Sequence, residues 1–452
     1  MAPHSQYALF GRDHRLMKFV LPVHHFPPRY SAGAELYTLQ LARRLRAQGH
    51  HVEVICIEAI DRENDGTLHV EEDNYEGFTV WRLFFDLIHA PDPQAWRYAN
   101  PLLGRWFTDY FRQHRPDIAH FQAGYLLGAA PLEAAADNGI PTVLTLHDYW
   151  FLCPRITLLR GDGTLCEAIP SDPAGCAWCL RLESRRYRIP DRLTQGVFGS
   201  LIGRLAMDTG RSAIAHRRAR LLAALTIPAA VIAPSRFLAE RFAPFIEPKR
   251  LRVLRFGLDR EPFIRQHRAA DDGVLRIGFT GQIAPHKGVH LLIEAFRRVQ
   301  ARQPIELHIY GGLEAHPDYV RRLRRLADND GRIQFHGRFE NGRVAEILTA
   351  LDVNVAPSIW YENSPIAILE SQAAGTPVIA AALGGMAELV QHGVNGLLFR
   401  VNDAHDLAQQ IARLLDEPGL LDSLRANTPT VKTPDEEMAE LFELYRQIAR
   451  PA

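Results

Sequence analysis

The chain has 452 residues, of which 47% are hydrophobic and 23% are charged, a composition typical of soluble globular proteins. This length exceeds what a single hydrophobic core supports and predicts two domains. The 52 basic and 52 acidic residues balance each other, which argues against nucleic acid as a partner, and no apolar run approaches the roughly 18 residues of a membrane span.

The N-terminal sequence MAPHSQYALFGRDHRLMKFV lacks the uninterrupted apolar segment of a secretion signal. We interpret residues 1–17 as a polar tail that precedes the first strand. With neither a secretion signal nor a membrane span, the protein is expected to be cytoplasmic.

In the first half of the chain, short apolar runs alternate with helical patterns, which predicts a parallel sheet covered by helices. The predicted strands are Lys18–Val23, Val52–Ile57, Ile118–Phe121, Thr142–Leu146, Val231–Pro234 and Leu251–Leu254. The predicted helices cover residues 34–48, 101–114, 128–138 and 212–225. We assign residues 18–258 to an N-terminal domain that contains an insert at residues 150–182.

The sequence DREPFIRQHRAADDGV, residues 259–274, interrupts this pattern and is interpreted as a linker. The alternation then resumes over residues 275–434, which we assign to a second domain. Its predicted strands are Leu275–Thr280, Ile305–Tyr310, Ile333–Phe335, Val353–Ala356, Val378–Ala380 and Leu397–Phe399. Its predicted helices cover residues 289–302, 318–328, 342–350, 366–374 and 403–415. The last segment, residues 435–452, is predicted to form a helix that packs back on the N-terminal domain.

These patterns together predict an α/β protein with two Rossmann-like, doubly wound parallel-sheet domains that face a central cleft. In such sheets, ligands bind beyond the C-terminal ends of the strands. Residues directly after the predicted strands are therefore the candidates for ligand binding and chemistry.

The sequence GFTGQIAPHKGVHLLIEAF, residues 278–296, places a lysine between two glycines where a strand leads into a helix. Gly281 and Gly288 allow the backbone to approach a ligand closely, and Lys287 adds a positive charge beside the start of the helix. This combination suits a phosphate group. Taken alone, the fragment also fits a solvent-exposed lysine in an ordinary turn.

The sequence WYENSPIAILESQAAGTPV, residues 360–378, places two glutamates around a predicted helix start. Ser364 is a favourable N-cap residue and Pro365 suits the first turn, so the free N–H groups there can hold an anion. Glu362 precedes the helix and Glu370 lies in its second turn, where each can accept hydrogen bonds from different hydroxyl groups. This layout suits a nucleotide sugar. The alternative is two solvent-exposed charges, against which the apolar neighbours of Glu370 argue.

Three other segments contain candidate ligand-binding residues. Gly384, Gly385 and Met386 follow a predicted strand and form either another turn for close ligand approach or an ordinary loop. Gly33, within HHFPPRYSAGAELYTLQLARRL, stands at the start of a helix and suits contact with a phosphate. His147, within TLHDYW, follows a strand, where it is either catalytic or a packed imidazole.

Together these motifs resemble the retaining glycosyltransferases of family 4, which have the GT-B architecture. The resemblance spans most of residues 18–450. Its most specific part is Glu362 and Glu370, which match the family's Glu-x7-Glu motif and continue into AAGTPVIA and GGMAE. It implies that Glu362 contacts the donor sugar, that Glu370 contacts the ribose, and that Lys287 neutralises the diphosphate with help from the backbone of Gly33.

The resemblance also implies that His147 lies near the donor sugar and the attacking hydroxyl group. The remaining implied donor contacts are the main chain of residues 384–387 and the amides of Ser364, Pro365 and Ile366. One position departs from the family pattern: Gln282 stands where the family usually has an arginine, five residues before its lysine. Either Arg236 compensates for the missing charge, or donor affinity is low, or the enzyme is inactive.

By this resemblance the protein moves a sugar from a nucleotide-diphosphate sugar to a glycan or lipid-linked acceptor, with retention of anomeric configuration and without a cofactor. Lys287 would stabilise the leaving diphosphate, and Glu362 and His147 complete the expected catalytic set. We expect a role in cell-surface polysaccharide or glycoconjugate synthesis. The alternatives are a nucleotide-sugar epimerase or hydrolase on the same architecture, and a non-catalytic carbohydrate-binding scaffold.

The insert contains four of the five cysteines of the chain, Cys153, Cys166, Cys176 and Cys179. Cys176 and Cys179 have the C-x2-C spacing of a metal knuckle, and the other two can complete a tetrahedral thiolate set. Because the segment is polar and the cytosol is reducing, we expect a structural zinc ion that helps to shape the acceptor pocket. An iron–sulfur cluster, disulfides and four unrelated thiols are the alternatives.

Residues 181–220 contain ten arginines and only three acidic residues. This local positive charge either forms a solvent-exposed face or binds an anionic partner such as a lipid surface. The second interpretation predicts peripheral attachment to the inner face of the membrane.

Overall fold

The computed structural model describes residues 16–61, 66–205, 208–266 and 272–449. The chain forms two compact units. The first consists of the described residues up to Pro234, residues 239–254 and the described residues from Glu440 onward, and the second consists of residues 235–238 and 255–439. The predicted polar tail lies outside the described residues except for its last two positions, and part of the predicted linker is also outside them.

The first unit is built on an eight-stranded sheet in the order β3-β4-β2-β1-β5-β6-β7-β8. Its strands are β1 (Lys18–Val23), β2 (His51–Ala59), β3 (His69–Tyr75), β4 (Phe78–Phe84), β5 (Ile118–Phe121), β6 (Thr142–Thr145), β7 (Ala230–Ala233) and β8 (Leu251–Val253). Neighbouring strands are parallel except for the edge pair β3 and β4. Strands β5, β6 and β7 are buried along their whole length, as expected for a parallel sheet covered on both faces.

In the described part of the chain, nine helices precede β8. They are α1 (Gly33–Ala47), α2 (Pro93–Trp96), α3 (Pro101–His114), α4 (Ala130–Asp137), α5 (Pro173–Arg181), α6 (Arg185–Leu193), α7 (Val197–Leu205), α8 (Asp208–Ala224) and α9 (Arg236–Phe242). Local sequence explains several starts. Asn100 caps α3 and Asp172 caps α5, and a proline follows each cap at the first helical position.

The second unit is built on a six-stranded parallel sheet in the order β11-β10-β9-β12-β13-β14. Its strands are β9 (Leu275–Thr280), β10 (Ile305–Tyr310), β11 (Ile333–Gly337), β12 (Val353–Ala356), β13 (Val378–Ala381) and β14 (Gly396–Phe399). The remaining helices are α10 (Glu261–Ile264), α11 (Val289–Phe296), α12 (Pro317–Ala327), α13 (Val344–Ala350), α14 (Ile366–Ala373), α15 (Met386–Leu389), α16 (Ala404–Asp416), α17 (Leu420–Ala426) and α18 (Pro434–Ala449). Three short 3-10 helices span Ala243–Phe245, Pro285–Lys287 and Asn341–Arg343.

The direction of strand addition reverses once in each parallel sheet. In the first unit the reversal lies between β1 and β5, and in the second it lies between β9 and β12. Loops that leave neighbouring strands at such a point diverge to opposite faces and open a crevice at the carboxyl ends of the strands. The predicted pair of doubly wound α/β domains is confirmed, and each sheet has one such crevice.

The C-terminal helix α18 contributes its last residues to the first unit. Leu441 and Tyr445 are fully buried, and the Tyr445 ring lies 5.0 Å from that of Phe19 on β1. The Tyr445 hydroxyl group is 2.7 Å from Nδ1 of His120 on β5. None of the helices in the described part of the chain is both long and apolar enough to cross a membrane.

Candidate functional site

A salt bridge occupies the strand reversal of the second unit. The loops that follow β9 and β12 carry Lys287 and Glu362, and Nζ of Lys287 lies 2.6 Å from Oε1 of Glu362. The same oxygen accepts hydrogen bonds from Oγ of Ser358 at 2.7 Å and from Nε1 of Trp360 at 2.8 Å. The fold therefore brings together the predicted phosphate-binding lysine and the predicted sugar-binding glutamate.

These contacts set the charge of Glu362. Burial alone would raise its pKa, but the ammonium group of Lys287 and the hydrogen bonds from Lys287, Ser358 and Trp360 outweigh burial and hold the pKa below its usual value. Burial and the nearby Lys287 lower the pKa of His286 to about 4. At neutral pH the site thus contains an ionised carboxylate and a neutral imidazole.

Glu370, in α14, has a different environment. Burial raises the pKa of Glu370 to about 7, so its carboxyl group is about half ionised at neutral pH. A ligand whose hydroxyl groups donate hydrogen bonds to this carboxylate would favour its ionised form. Neither Glu362 nor Glu370 is a fully exposed surface charge, which removes that alternative for the pair.

The glycine turn after β13 packs against the loop that carries Glu362. The N–H group of Gly385 donates a hydrogen bond of 2.7 Å to the carbonyl oxygen of Glu362. A Cβ atom at Gly385 would lie 1.8 Å from the carbonyl oxygen of Asn363, and Gly384 has a φ angle of 55°. Met386 begins α15 and is fully buried. The two loops can approach each other only because this turn contains glycines. This requirement holds with or without a bound ligand.

The helix after Glu362 starts at the predicted residue, but its N-cap differs from the prediction. Helix α14 starts at Ile366, with Pro365 as an extended N-cap residue (ψ 112°) and with no capping hydrogen bond from a side chain. The prediction that Ser364 caps this helix is therefore wrong. Pro365, expected in the first helical turn, is extended instead, so Ser364 lies one residue before the N-cap.

Gln282 and Arg236 lie in different segments of the chain. Gln282 follows β9 and is exposed, and Arg236 begins α9 with an exposed side chain. The backbone N–H of Arg236 donates a hydrogen bond of 3.0 Å to the carboxylate of Glu388, and the N–H of Phe237 donates to the other oxygen. Glu388 thus caps the start of α9.

A second polar cluster lies at the strand reversal of the first unit. His147 follows β6, and its Nε2 atom lies 3.4 Å from Oε1 of Gln122, which follows β5. The ring of Tyr37 packs edge-on against the imidazole, with 5.4 Å between the ring centroids. Burial and the nearby His24 lower the pKa of His147 to about 3, so the imidazole is neutral at pH 7.

Three residues of this cluster, His24, Glu35 and Gln122, were not predicted. His24 directly follows β1, and its Nε2 atom lies 3.2 Å from Oε1 of Glu35, in the first turn of α1. The rule that selected His147, a polar residue directly after a strand, would also have selected His24 and Gln122. Gly33, the predicted phosphate contact, is the first residue of α1, two positions before Glu35.

The four cysteines of the insert line one small cavity of about 20 Å³ in the first unit. All are free thiols. Burial raises the pKa of Cys153 to about 11 and also raises the pKa values of Cys166 and Cys176. Without a bound metal, these three groups are therefore protonated thiols at neutral pH, and a metal that bound them would displace their protons.

The predicted zinc site at Cys153, Cys166, Cys176 and Cys179 is not supported. Residues 16–61, 66–205, 208–266 and 272–449 contain no group of three or more histidine, cysteine, aspartate or glutamate side chains placed to hold a metal ion. The prediction assumed that the insert lacks apolar side chains. Instead, Trp178 and Leu182 form a buried cluster with Ile214 of α8, and Cys176 packs against it. Apolar packing thus provides the stabilisation that the metal was expected to supply.

Comparisons with known proteins agree with this architecture. The glycosyltransferase structure from Rickettsia africae has a TM-score of 0.64 and 16% sequence identity, and the likeness covers 96% of this chain and all of that one. The Anabaena protein HepE in complex with UDP-glucose has a TM-score of 0.58 and 18% identity, covering 96% and 98% of the two chains. Both units therefore have the fold of GT-B glycosyltransferases, and the predicted fold class is confirmed.

Family models give a more specific similarity than the shared fold does. The model described as Glycosyltransferase Family 4 matches residues 31–194, and the one described as Glycosyl transferases group 1 matches residues 260–431. The D-inositol 3-phosphate glycosyltransferase of Kribbella flavida is 31% identical over 195 residues, which are 39% of this chain and 46% of that protein. The chain spans less than half the length of the curated relatives it matches. Glycosyltransferase family models therefore match both units, and the chain is similar to glycosyltransferases of family 4.

Proposed function

We propose that the protein is a retaining glycosyltransferase that moves a sugar from a nucleotide-diphosphate sugar to a glycan or lipid-linked acceptor in cell-surface polysaccharide or glycoconjugate synthesis. The observation that carries this proposal is the Lys287–Glu362 salt bridge at the strand reversal of the second unit. A lysine beside a helix start suits a diphosphate, and a buried ionised carboxylate suits sugar hydroxyl groups. HepE, which shares the fold, has been crystallised with UDP-glucose, and we extend that class of donor to this chain.

In this proposal the second unit binds the donor. Lys287 exchanges part of its interaction with Glu362 for the donor diphosphate, and Glu362 accepts hydrogen bonds from hydroxyl groups of the transferred sugar. Glu370 accepts hydrogen bonds from the ribose. The other proposed donor contacts are Gly33, Gln282, Ser364, Pro365, Ile366, Gly384, Gly385 and Met386.

The chemical step breaks the bond between the anomeric carbon and the diphosphate oxygen and forms a bond from that carbon to an acceptor oxygen. Lys287 stabilises the negative charge that develops on the leaving diphosphate. In the proposed same-face attack, an oxygen of the leaving phosphate takes the proton of the acceptor hydroxyl group, which retains the anomeric configuration. His147 is neutral and contributes a hydrogen bond to the donor sugar. No cofactor is needed.

A nucleotide panel tests the proposal. Thermal unfolding is measured with UDP, GDP and ADP and with their sugar conjugates. We expect one base to raise the melting temperature, since a ligand at 100 times its Kd stabilises a protein by about 2.7 kcal/mol. Incubation with the matching nucleotide sugar and candidate acceptors then separates a transferase from an epimerase or hydrolase and from a non-catalytic binder. If no nucleotide shifts the melting temperature, the proposal fails.

We further propose that the α6–α7 hairpin, residues 185–205, attaches the protein peripherally to the cytoplasmic face of the membrane. Four of its apolar side chains are more than half exposed: Ile189 (53%), Leu193 (79%), Val197 (57%) and Leu201 (62%). Exposed arginines of α6 include Arg185, Arg186 and Arg192. Apolar side chains beside basic ones on a short helical hairpin suit an anionic lipid surface, where each basic residue contributes about 1 kcal/mol.

Replacing both Leu193 and Leu201 with serine is expected to reduce binding to anionic vesicles at least tenfold, because the apolar side chains that would enter the interface are removed. Co-sedimentation with phosphatidylglycerol-containing vesicles measures this, and phosphatidylcholine vesicles report the contribution of lipid charge. The matched control is Ile88→Ser, which also removes an exposed apolar side chain of the first unit (65% exposed). Equal binding by the wild type and the double variant would rule out this attachment.

A further inference from the structure

In the polar cluster of the first unit, the buried carboxylate of Glu35 pairs through only one of its two oxygens. The side chain of Glu35 is 5% exposed, and Oε1 pairs with Nε2 of His24. Within the described residues, the buried atoms Oε2 of Glu35 and Nδ1 of His24 have no hydrogen-bond partner. Leaving buried polar atoms unpaired is unfavourable, so two such atoms on one pair of side chains indicate an absent ligand.

The cluster lies where a ligand of the first unit would be expected. His24 directly follows β1 and Gln122 directly follows β5, the two strands at which the strand order reverses. His147 follows β6 and reaches Gln122, and Tyr125 packs edge-on against His24 with 5.8 Å between the ring centroids. Aromatic rings beside hydrogen-bonding side chains are typical of sites that bind polyhydroxy compounds.

The carboxylate of Glu35 is ionised in this cluster. Burial would raise the pKa of Glu35, but the hydrogen bond and charge of His24 and the backbone N–H of Glu35 lower it, so the carboxylate is ionised. Burial lowers the pKa of His25 and, to about 3, that of His147, which leaves both imidazoles neutral at pH 7. The guanidinium group of Arg29 stacks on the ring of Tyr30. It also pairs with the carboxylate of Glu58, with 3.8 Å between Nη1 and Oε1.

Glu35 also places a carboxylate near the start of α1. It lies in the first turn of α1, where the free N–H groups and the helix dipole favour negative charge. Its own carboxylate supplies that charge. A phosphate on a ligand that approached Oε2 would meet a like charge, whereas a neutral hydroxyl group could donate a hydrogen bond to it.

We propose that the first unit binds an uncharged, polyhydroxy acceptor, with Oε2 of Glu35 accepting a hydrogen bond from an acceptor hydroxyl group and Nδ1 of His24 completing the contact. This inference rests on the proposed transferase function and specifies its acceptor. The acceptor portion in this pocket is thus the neutral end of a glycan. A phosphorylated acceptor, such as the D-inositol 3-phosphate that gives the curated relatives their name, does not match the pocket.

Matched acceptor pairs test the charge preference on the wild-type chain. The pairs are myo-inositol with D-inositol 3-phosphate, and methyl glucoside with glucose 6-phosphate. Binding is measured by saturation-transfer NMR, which needs no turnover, and transfer is measured as kcat/KM with the donor found in the nucleotide panel. We expect the neutral member of each pair to be preferred at least tenfold. Equal binding, or a preference for the phosphorylated members, would overturn the proposal.

Glu35→Gln tests the residue itself, because it preserves shape and removes the charge. We expect the acceptor KM to rise about tenfold and the neutral-to-phosphorylated preference to shrink, with donor KM and slow donor hydrolysis unchanged. Glu133→Gln is the control, since Glu133 forms a partly exposed salt bridge with Arg220 in the same unit. An unchanged acceptor preference in Glu35→Gln contradicts the assignment. If the transferase function itself were wrong, the wild type would form no acceptor-linked sugar with any member of either pair, an outcome distinct from transfer that shows no charge preference.

Discussion

Replacing Lys287 with methionine is expected to lower the rate of sugar transfer by roughly 100-fold or more, because the only side-chain cation assigned to the leaving diphosphate is lost. The change also removes the partner of Glu362 at 2.6 Å and leaves that buried carboxylate with only Ser358 and Trp360. Breaking a buried ion pair costs about 3–5 kcal/mol, and since Lys287 is partly exposed we expect about 2–3 kcal/mol.

Two further variants separate chemistry from stability. In Lys287→Met with Glu362→Gln the unpaired charge is gone, so the free energy of unfolding should recover while transfer stays lost. Lys249→Met is the matched control, because Lys249 also pairs with a glutamate at 2.9 Å but on the surface. Transfer rates and chemical denaturation at pH 7.5 provide both readouts. A Lys287→Met enzyme that transfers sugar at the wild-type rate would refute the role assigned to Lys287.

Replacing Glu370 with glutamine is expected to stabilise the ligand-free protein above neutral pH and to weaken donor binding. Burial raises the pKa of Glu370 from 4.5 to about 7, so the folded state favours the protonated carboxyl group. Wild-type stability therefore decreases as pH rises from about 4.5 to about 7, and the full penalty is present above pH 7. Glutamine avoids this penalty, and we expect a gain of about 1–3 kcal/mol at pH 8 that disappears near pH 4.5.

The same substitution removes the carboxylate that the ribose hydroxyl groups would use, so nucleotide Kd should rise by roughly 10–100-fold. Denaturant unfolding at pH 4.5, 6 and 8, with calorimetric titration of the nucleotide, measures both effects. Glu346→Gln on α13 is the control, because that glutamate is exposed and pairs with Arg343 on the surface. A variant that gains stability at pH 8 but binds nucleotide normally would show that Glu370 is merely a buried acid.

Sequence patterns predicted the limits of a strand correctly where one continuous buried segment forms that strand. Strands Lys18–Val23 and Leu275–Thr280 have the predicted limits, because most of their residues are buried, as in strands covered on both faces. The hairpin of β3 and β4 was missed. Strand β3 lies at the edge of the sheet and is largely polar, and its turn at Glu76-Gly77, with φ angles of 52° and 80°, lacks the stronger Asn-Gly signal.

The residues of the candidate sites also fall into two groups, those that the sequence predicts and those that it does not. Lys287, Glu362 and Glu370 could be predicted, since each lies within a short local motif. His24, Glu35 and Gln122 meet His147 only because β1, β5 and β6 are neighbours in the sheet, and strand order cannot be read from the spacing of residues. The cysteine prediction failed because C-x2-C spacing carries no information about the apolar residues, such as Trp178, that pack around it.

The return of α18 to the first unit affects how the protein is made. The sheet that receives Leu441 and Tyr445 is synthesised before residue 254, but those two side chains leave the ribosome only after the whole second unit has been translated. At about 5–20 residues per second the intervening 185 residues take roughly 10–40 s. During that interval the surface around Phe19 and His120 remains uncovered on the nascent chain, where it offers a binding surface to chaperones. A shortened gene that stops after residue 254 would leave this surface uncovered, and we expect recombinant production of the first unit to improve when residues 440–449 are fused back.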